Sequence, residues 1–575
     1  MRSTFSGLTT MVKGIIAHQI SQETVGHNIT SATSEGYSRQ SVNLATTKAM
    51  EHTGSYGQVL VGTGVDTTSI TRARDIYADR QYWSENSTKS YYNARQKQYD
   101  RIESIFNDTT NETIQSALQK FYESWQTLHD SASSSSARLS VINQGSNLAD
   151  RIHTAAQELQ NQINDDYTDI TLSVTRVNQM LDQVVELNKN IYYTEATGAM
   201  ANDLRDQRDL MVDKLTEYLN INVYENEKGM YLLVSNGVSL VNGVNRLTLE
   251  MTDPDPISGE EYGVNDYKIM IKESQIEFKP LSGSIRAQFD AIDECKEYID
   301  DLANMASFLL SDFNEQHQQG CGIDTPRTAG INFFGDAATK YSWDSTNGVL
   351  VADKYSSELS TTTHTIKTNP NYDVDDPNYY YVEATVAGSG TPTTSNVKKI
   401  DAINALSVST QITVAGGEAL IAASSYGFTV GSDGKPTASS VISENGTGDG
   451  SNAVILSTLI NLDMSKSPKY DKNATDPSVN EAKRAIGTVS LNEYYTHAMT
   501  GLGSKSETMD SKVIAQEEIM TQVTEWREST SGVNWNQELT NMLMFQQGYM
   551  SCTRCLTTMD EMLDRLINNT GVVGR

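Results

Sequence analysis

One periodicity constrains this chain more than any other. Over the stretch from Asn536 to Asn569, apolar residues recur at Met542, Phe545, Tyr549, Cys552, Leu556, Met559, Leu563 and Leu566. The steps alternate three and four without a break, which is the a/d seam of a coiled coil held for about four heptads. No proline or charge falls on the seam, and Gly548 lies beside it. At 1.5 Å per residue such a helix is roughly 50 Å long. A single apolar stripe is not stable in water, so the helix requires a partner.

The opposite end of the chain offers one. Phe5, Leu8, Val12 and Ile15 take the same steps, with Met11, Ile16 and Ile20 beside them; the pattern weakens through Gln19 and Gln22 and recovers at Ile29. The two terminal helices are expected to pair, which makes everything between them one large insertion. The alternative is a globular protein whose ends happen to be amphipathic. One pairing helix repays little of the entropy of ordering so long a stretch. Burial against neighbouring copies is therefore expected to complete the seam, with the tails ordering on assembly.

Between the ends the period changes several times. Ser38 to Ile70 reads as an extended arm or hairpin, punctuated by Gly54, Gly57, Gly62 and Gly64. Asp75–Phe106 is helical, and Ile114, Leu118, Phe121, Trp125 and Leu128 continue a helical stripe. After the polar joint Ser131–Ser136, one helix is expected from about Ala137 to Tyr193. A patterned helix that long argues for a bundle rather than a compact enzyme. Period two takes over at Ile221, with turn signals at Ser235-Asn236-Gly237 and Asn242-Gly243, so a small antiparallel β unit is expected. Helix returns near Gly283 and runs to about Gln318, and again from Ala482 to Trp526, where Ser529–Gly532 breaks it. Asn534, with Gln537 three residues on, reads as a cap for the terminal helix.

The stretch from Asn332 to about Pro477 is rich in Ser, Thr, Gly and Asn, with short apolar pieces such as Gln411–Val414 and Tyr426–Val430. A partly disordered insert is the alternative; strand-turn spacing favours a folded β-rich domain. The fold expected is thus α+β and multidomain. Residues 1–35 and 536–575 form a terminal coiled coil, and 36–220, 283–331 and 482–535 a long-helix bundle. Residues 221–282 form the small β unit and 332–481 an outer β-rich domain.

Composition narrows the function. With 575 residues the chain is too long for one core. Lys and Arg total 44 against 73 Asp and Glu, a net charge of −29 that repels phosphate and argues against nucleic acid. No apolar run approaches twenty residues, so no membrane helix is expected. The apolar piece Met11–Ile20 carries Lys13 and His18 and has no cleavage site after it, so no cleaved secretory leader is expected.

No catalytic constellation stands out, and no cofactor or metal is expected. Gly62-x-Gly64 lacks the third glycine of a dinucleotide loop, and Gly501–Ser506 lacks the spacing of a phosphate loop. Asp373, Asp375 and Asp376 lack the glycine and bidentate Glu of a calcium loop. Cys552 and Cys555 form a C-x-x-C with no second pair, and Cys552 already has a place in the seam.

The run Gly26-His27-Asn28-Ile29-Thr30-Ser31-Ala32-Thr33-Ser34-Glu35-Gly36-Tyr37-Ser38-Arg39-Gln40 resembles the N-terminal signature of the bacterial flagellar axial proteins. Asn541–Tyr549 and Met559–Leu563 are similar to their C-terminal signature. Asp203-Leu204-Arg205-Asp206-Gln207-Arg208-Asp209 resembles a run of the hook-associated junction proteins within that group. The resemblance covers about residues 1–335 and 485–575, and Trp535 departs from the aliphatic residue expected there.

The resemblance implies a structural part of the flagellum, exported unfolded and uncleaved to the hook–filament junction outside the cell. It implies a layer of about eleven copies. The partners implied are the chain itself, the hook protein, the second junction protein and an export chaperone at the C-terminus, with no nucleic acid and no membrane. The axial-packing residues would be Phe5, Leu8, Val12, Ile15 and the C-terminal seam from Met542 to Leu566. A hook- or filament-type subunit is the alternative, and a secreted surface enzyme or adhesin a more distant one.

Overall fold

In the computed structural model the described residues run from 6 to 568, apart from 55–56, 107–112, 377, 430, 434, 437–442, 445, 461–464, 466 and 477. Phe5 of the expected seam and Asn569 at the expected helix end lie outside them.

The body is built on α4 (Ser135–Glu195), whose 61 residues make a rod about 90 Å long. Ser134 caps it by accepting the amide of Ala137. The three-four spacing of Leu148, Ile152, Ala155, Leu159, Ile163, Ile170, Val174, Val177, Leu181 and Val184 puts one apolar face inward, and all are buried. Against it pack α2 (Ile76–Phe106), α3 (Ile114–Asp130), α5 (Asn202–Leu215) and α7 (Ser284–Phe308). The last continues through a π turn, Leu309–Phe313, into α8 (Asn314–Gln319). Helix α13 (Leu491–Ser531) lies along α2. It starts nine residues later than the sequence suggests, because Ser490 and Glu493 form a reciprocal capping box there.

An aromatic cluster closes the far end of the body. Phe121, Trp125, Phe313, Phe333 and Phe334 meet ring to ring, with Phe333 and Phe334 centroids 4.8 Å apart. Asn314 supports it by accepting the amides of Phe333 and Phe334. The Phe333 ring lies so close to α4 that a Cβ on Gly145 would stand 2.8 Å from it.

Four strands, β1 (Gln40–Thr46), β2 (Met50–Gly54), β3 (Gly57–Val61) and β4 (Val65–Arg72), form the expected arm, paired antiparallel as β1–β4 and β2–β3. The small β unit has β5 (Asn222–Glu225), β6 (Tyr231–Ser235), β7 (Val238–Asn242) and β8 (Asn245–Arg246) in one antiparallel sheet. A three-stranded sheet follows from β9 (Leu249–Met251), β10 (Ile269–Ile271) and β11 (Ile276–Glu277), with the short α6 (Pro256–Gly259) between. Asn236 and Gly237 both take positive φ, as the Asn-Gly hairpin signal requires.

The stretch 332–481 is more mixed than its composition suggests. Strands β13 (Thr339–Asp344), β14 (Val349–Lys354) and β17 (Thr393–Val397) form one sheet, with the hairpin β15 (Ser360–Thr368) and β16 (Tyr380–Ala387) beside it. A further small sheet joins β12 (Gly320–Cys321), β18 (Ser424–Gly427) and β19 (Ser443–Glu444). Short helices turn back onto the body: α9 (Lys399–Ala405), α10 (Thr410–Thr413) and α11 (Ser451–Leu459). They bury Ile400, Ile403, Ile412 and Leu456 in the same core as α4 and α7. Gln411–Val414, read as a strand, lies largely in α10, whose single turn is too short to show a period. The short α12 (Ser478–Glu481) leads to α13.

The termini pair as α1 (Ser6–Ser31) and α14 (Trp535–Asn568). Asn534 caps α14 by accepting the amides of Asn536 and Gln537. Among the described residues no helix is long and apolar enough to cross a membrane.

Candidate functional site

The terminal pair is antiparallel, as its cross-contacts show. A Cβ on Gly7 would stand 3.1 Å from Met559 Sδ, and one on Gly14 3.1 Å from Cys552 Sγ. A Cβ on Gly548 would stand 2.5 Å from the His18 ring, and His18 also faces Phe545 with centroids 6.2 Å apart. At the root, Asn28 Nδ2 donates to Glu538 Oε2 at 3.1 Å. The α1 face that meets α14 is therefore Gly7, Gly14, His18 and Asn28, and glycine on both helices lets the backbones approach.

This is not the α1 face that hydropathy singles out. At about 100° per residue, Leu8, Ile15 and Val12 stand roughly 80–140° round the helix from Gly7. Leu8 and Ile15 are half-buried and Val12 is 39% exposed. On α14, Met542, Phe545, Cys552, Leu556, Met559 and Leu563 are half-buried, Tyr549 is exposed, and Leu566 is 56% exposed. At the cross-contacts the α14 seam contributes Phe545, Cys552 and Met559, and α1 contributes Gly7, Gly14 and His18. A second stripe on α14, Trp535, Leu539, Leu543 and Met550, is also exposed, Leu543 by 59%.

At the root of the pair, residues from two of the runs that carry the family resemblance, 26–40 and 203–209, knot together with Glu538 of α14. Gly36, with φ of 76°, turns the chain after α1. Asn28 Oδ1 accepts from Tyr37 Oη at 2.7 Å and from the Gln40 amide at 2.9 Å, while Nδ2 donates to the Gln40 carbonyl as well as to Glu538. All four hydrogen-bonding positions of this buried amide are used. The next residues reach α5. The Ser38 amide and hydroxyl both donate to Asp206, at 3.0 and 2.7 Å, and Gln40 Nε2 donates to Asp203 at 2.8 Å. Asn202 returns a bond to Gln40 Oε1.

Charge locks the knot to the body. Arg72, at the end of β4, donates to Asp206 at 2.6 Å and Asp209 at 2.8 Å. Arg74 pairs with Asp79 and Asp209, and Arg527 near the end of α13 pairs with Asp79 and Asp213. Arg208 lies over the Tyr231 ring, and Tyr231 Oη donates to Asp209 at 2.6 Å. Arg205 holds Glu195 of α4 and Glu225 of β5. Burial works against ionisation of Asp209, but Arg74, Arg72 and Arg208 outweigh it and hold its carboxyl below the usual range. Burial and then Asp203 and Asp206 push the Tyr37 phenol well up. Breaking one buried pair of this kind costs about 3–5 kcal/mol.

Hydropathy alone does not find the knot. Its signal is a concentration of Asn, Ser, Gln and Asp in the runs 26–40 and 203–209, where a solvated loop would serve equally well. Among the described residues no group of three His, Cys, Asp or Glu is placed to hold a metal ion. Cys552 is half-buried against Gly14 and Cys555 is exposed.

Comparison with known proteins agrees with this architecture. Residues 99–334 match a family described as the flagellar hook-associated protein FlgK helical domain. Residues 528–569 match the flagellar basal body rod FlgEFG protein C-terminal family. The flagellar hook-associated protein 1 of Bacillus subtilis is 26% identical over the whole of both chains. That of Escherichia coli is also 26% identical, over 97% of this chain and 98% of its own. In fold, the chain is similar to the flagellar hook junction protein FlgK of Burkholderia pseudomallei, with a TM-score of 0.52 at 16% identity, over 80% of this chain and 100% of that one. In class the chain is thus similar to the flagellar axial proteins. Within that class its likeness over the full length is to hook-associated protein 1.

Proposed function

We propose that this chain is a structural subunit of the flagellum, forming the layer that joins hook to the next junction protein and filament. One observation carries the reading. A four-heptad seam lies on α14, and in the single chain α14 is covered on one side only. Its second stripe, and the Leu8–Val12–Ile15 stripe of α1, are apolar surfaces that a neighbouring copy would close. The twelve-residue seam set of the sequence, Phe5 to Ile15 and Met542 to Leu566, is the packing surface in this reading.

About eleven copies would stand side by side. The α1–α14 pair would line the tube, the body would form its wall, and β13–β17 would face outward. The hook protein would lie beneath and the second junction protein above. The chain would reach this place by export without a cleaved leader, with a chaperone holding its C-terminus. Its work would be mechanical, with no catalytic step.

Electron microscopy of junctions purified from cells that carry this chain in place of their own hook-associated protein 1 tests the reading. Rod-like paired density at the inner wall is expected. Density for the terminal helices on the outer surface would overturn the arrangement, and cells without filaments would overturn the junction role.

A further inference from the structure

Beside the knot lies an open cavity of about 730 Å³, walled by the turn after α1, by α5 and by the α13–α14 connection. Arg74, Lys214 and Arg527 line it and each has a carboxylate: Asp79 and Asp209, Glu35, and Asp79 and Asp213 respectively. Arg39 lines it too and differs. Among the described residues no carboxylate lies within ion-pair distance of its guanidinium. Its Nε is buried without a partner, and Nη1 makes only a 3.4 Å bond to Gln537 Oε1. Glu217 and Glu528 stand on the walls and do not pair with it. The Arg39 backbone, by contrast, is fully committed: its amide donates to Ser531 O at 2.8 Å and its carbonyl accepts from Ala73 at 2.8 Å. A cation is therefore held in place without a counter-charge among the described residues.

The chain carries a net charge of −29, so copies brought side by side repel unless acids on one meet cations on the next. The outward face of α13 supplies such acids. Glu518 and Glu525, seven residues apart on one face, are exposed and make no ion pair among the described residues. Ser531 bonds Arg39 directly, so Glu525 and Glu518 lie only about 9 and 20 Å along α13 from the level of Arg39. In a ring, equivalent levels face each other across each interface, and every interface joins two different faces.

Resting on the junction reading above, we propose that the Arg39 cavity is a docking site for a neighbouring copy, filled by a carboxylate from the Glu518–Glu525 edge of that copy's α13. The planar guanidinium would take the carboxylate at its two Nη nitrogens, which a lysine cannot match in geometry. The contact would set the lateral register at the root of the terminal pair, where the knot makes the wall rigid.

Cells lacking their own hook-associated protein 1 are supplied with the wild type, Arg39→Glu, Arg39→Lys, or Arg39→Glu combined with Glu518→Arg and Glu525→Arg. Filaments per cell are counted, and each purified chain is melted. Arg39→Glu is expected to lower filament number about ten-fold with its melting point within about 1 °C of wild type. Arg39→Lys is expected to fall between, and the combined variant to recover most of the loss. Arg39→Glu cells with wild-type filaments overturn this inference alone. So does a combined variant no better than Arg39→Glu, which would assign Arg39 a role within its own chain. A wild-type chain that supports no filaments overturns the junction reading and this inference together.

Discussion

Helices α4 and α14 carry the same kind of sequence and meet different ends in the single chain. Both hold an unbroken three-four apolar stripe. On α4 that stripe is closed: Leu148, Ile152, Leu159, Ile170, Val177, Leu181 and Val184 are fully buried. On α14, Glu538 is the one buried residue among those described, and it is polar. Periodicity therefore reports that a face will be buried, without reporting by which molecule. The body completes its core within one chain, while the terminal pair leaves apolar side chains such as Leu543 and Leu566 open to water. The knot of Asn28, Ser38, Gln40, Asp203, Asp206 and Asp209 stands between the two, fixing an incomplete rod to a complete body.

The contrast is broken most strongly from the body side. Trp125→Ala removes a fully buried indole from the aromatic cluster. A loss of about 3–5 kcal/mol in denaturant unfolding is expected. A loss below about 1 kcal/mol would mean that the body, like the terminal pair, is completed only by neighbours. Next comes the joint. Asp206→Ala leaves Ser38 without its acceptor and Arg72 with Asp209 alone. About 3 kcal/mol should be lost. Hydrogen exchange should show it at the Ser38 amide, with protection of α4 unchanged. Equal loss of protection in both would show that joint and body form one cooperative unit.

These regions were unequally legible in the sequence. The ends of α2, α4 and α14 were readable to within about two residues, because long amphipathic stripes with Ser, Asn and Gly at their ends repeat one message many times. The meeting face of α1 was not. Gly7, Gly14 and His18 carry little hydropathy, and close approach by glycine leaves no apolar signature. The helices α9 to α11 were missed because a turn or two of helix shows no period, and their Ser- and Thr-rich surroundings read as strand and turn. The resemblance singled out the runs that form the knot, but the bonds that tie it to α5 join residues far apart in sequence, such as Ser38 with Asp206, which no local pattern encodes.

A smaller effect tests the body's own polar layer. Asp166 is buried between α2 and α4 and accepts from Gln98 and Gln162. Burial pushes its carboxyl up to about 6, against the help of those two amides. Its folded value lies above its unfolded one, so the folded state holds the extra proton between about pH 4 and 6, and stability falls as pH rises through that window. Asp166→Asn should therefore match wild type near pH 4 and exceed it by about 1–3 kcal/mol above pH 6. His317 acts oppositely: burial lowers it to about 4, so it favours folding as pH rises through the same range. The variant, freed of the Asp166 slope, should show stability rising with pH. A constant difference from wild type at all pH values would mean that Asp166 stays charged in the folded chain.

The smallest effect on the isolated chain should be the largest on assembly. Leu556 sits on the α14 seam, half-buried against α1, with one side open to water. In Leu556→Asp the new carboxylate can turn to that open side, so unfolding of the purified chain should change by less than about 0.5 kcal/mol. If a neighbour closes the stripe, as proposed above, the charge has no such exit, and an unpaired buried carboxylate costs several kcal/mol at every interface. Repeated around a ring, that penalty should abolish the layer, leaving cells that secrete the chain but carry no filaments. Immunoblots of the medium and filament counts separate the two. Filaments at wild-type number would mean that α14 is already as complete as α4, and that the apolar surface left exposed in the single chain has no partner to meet.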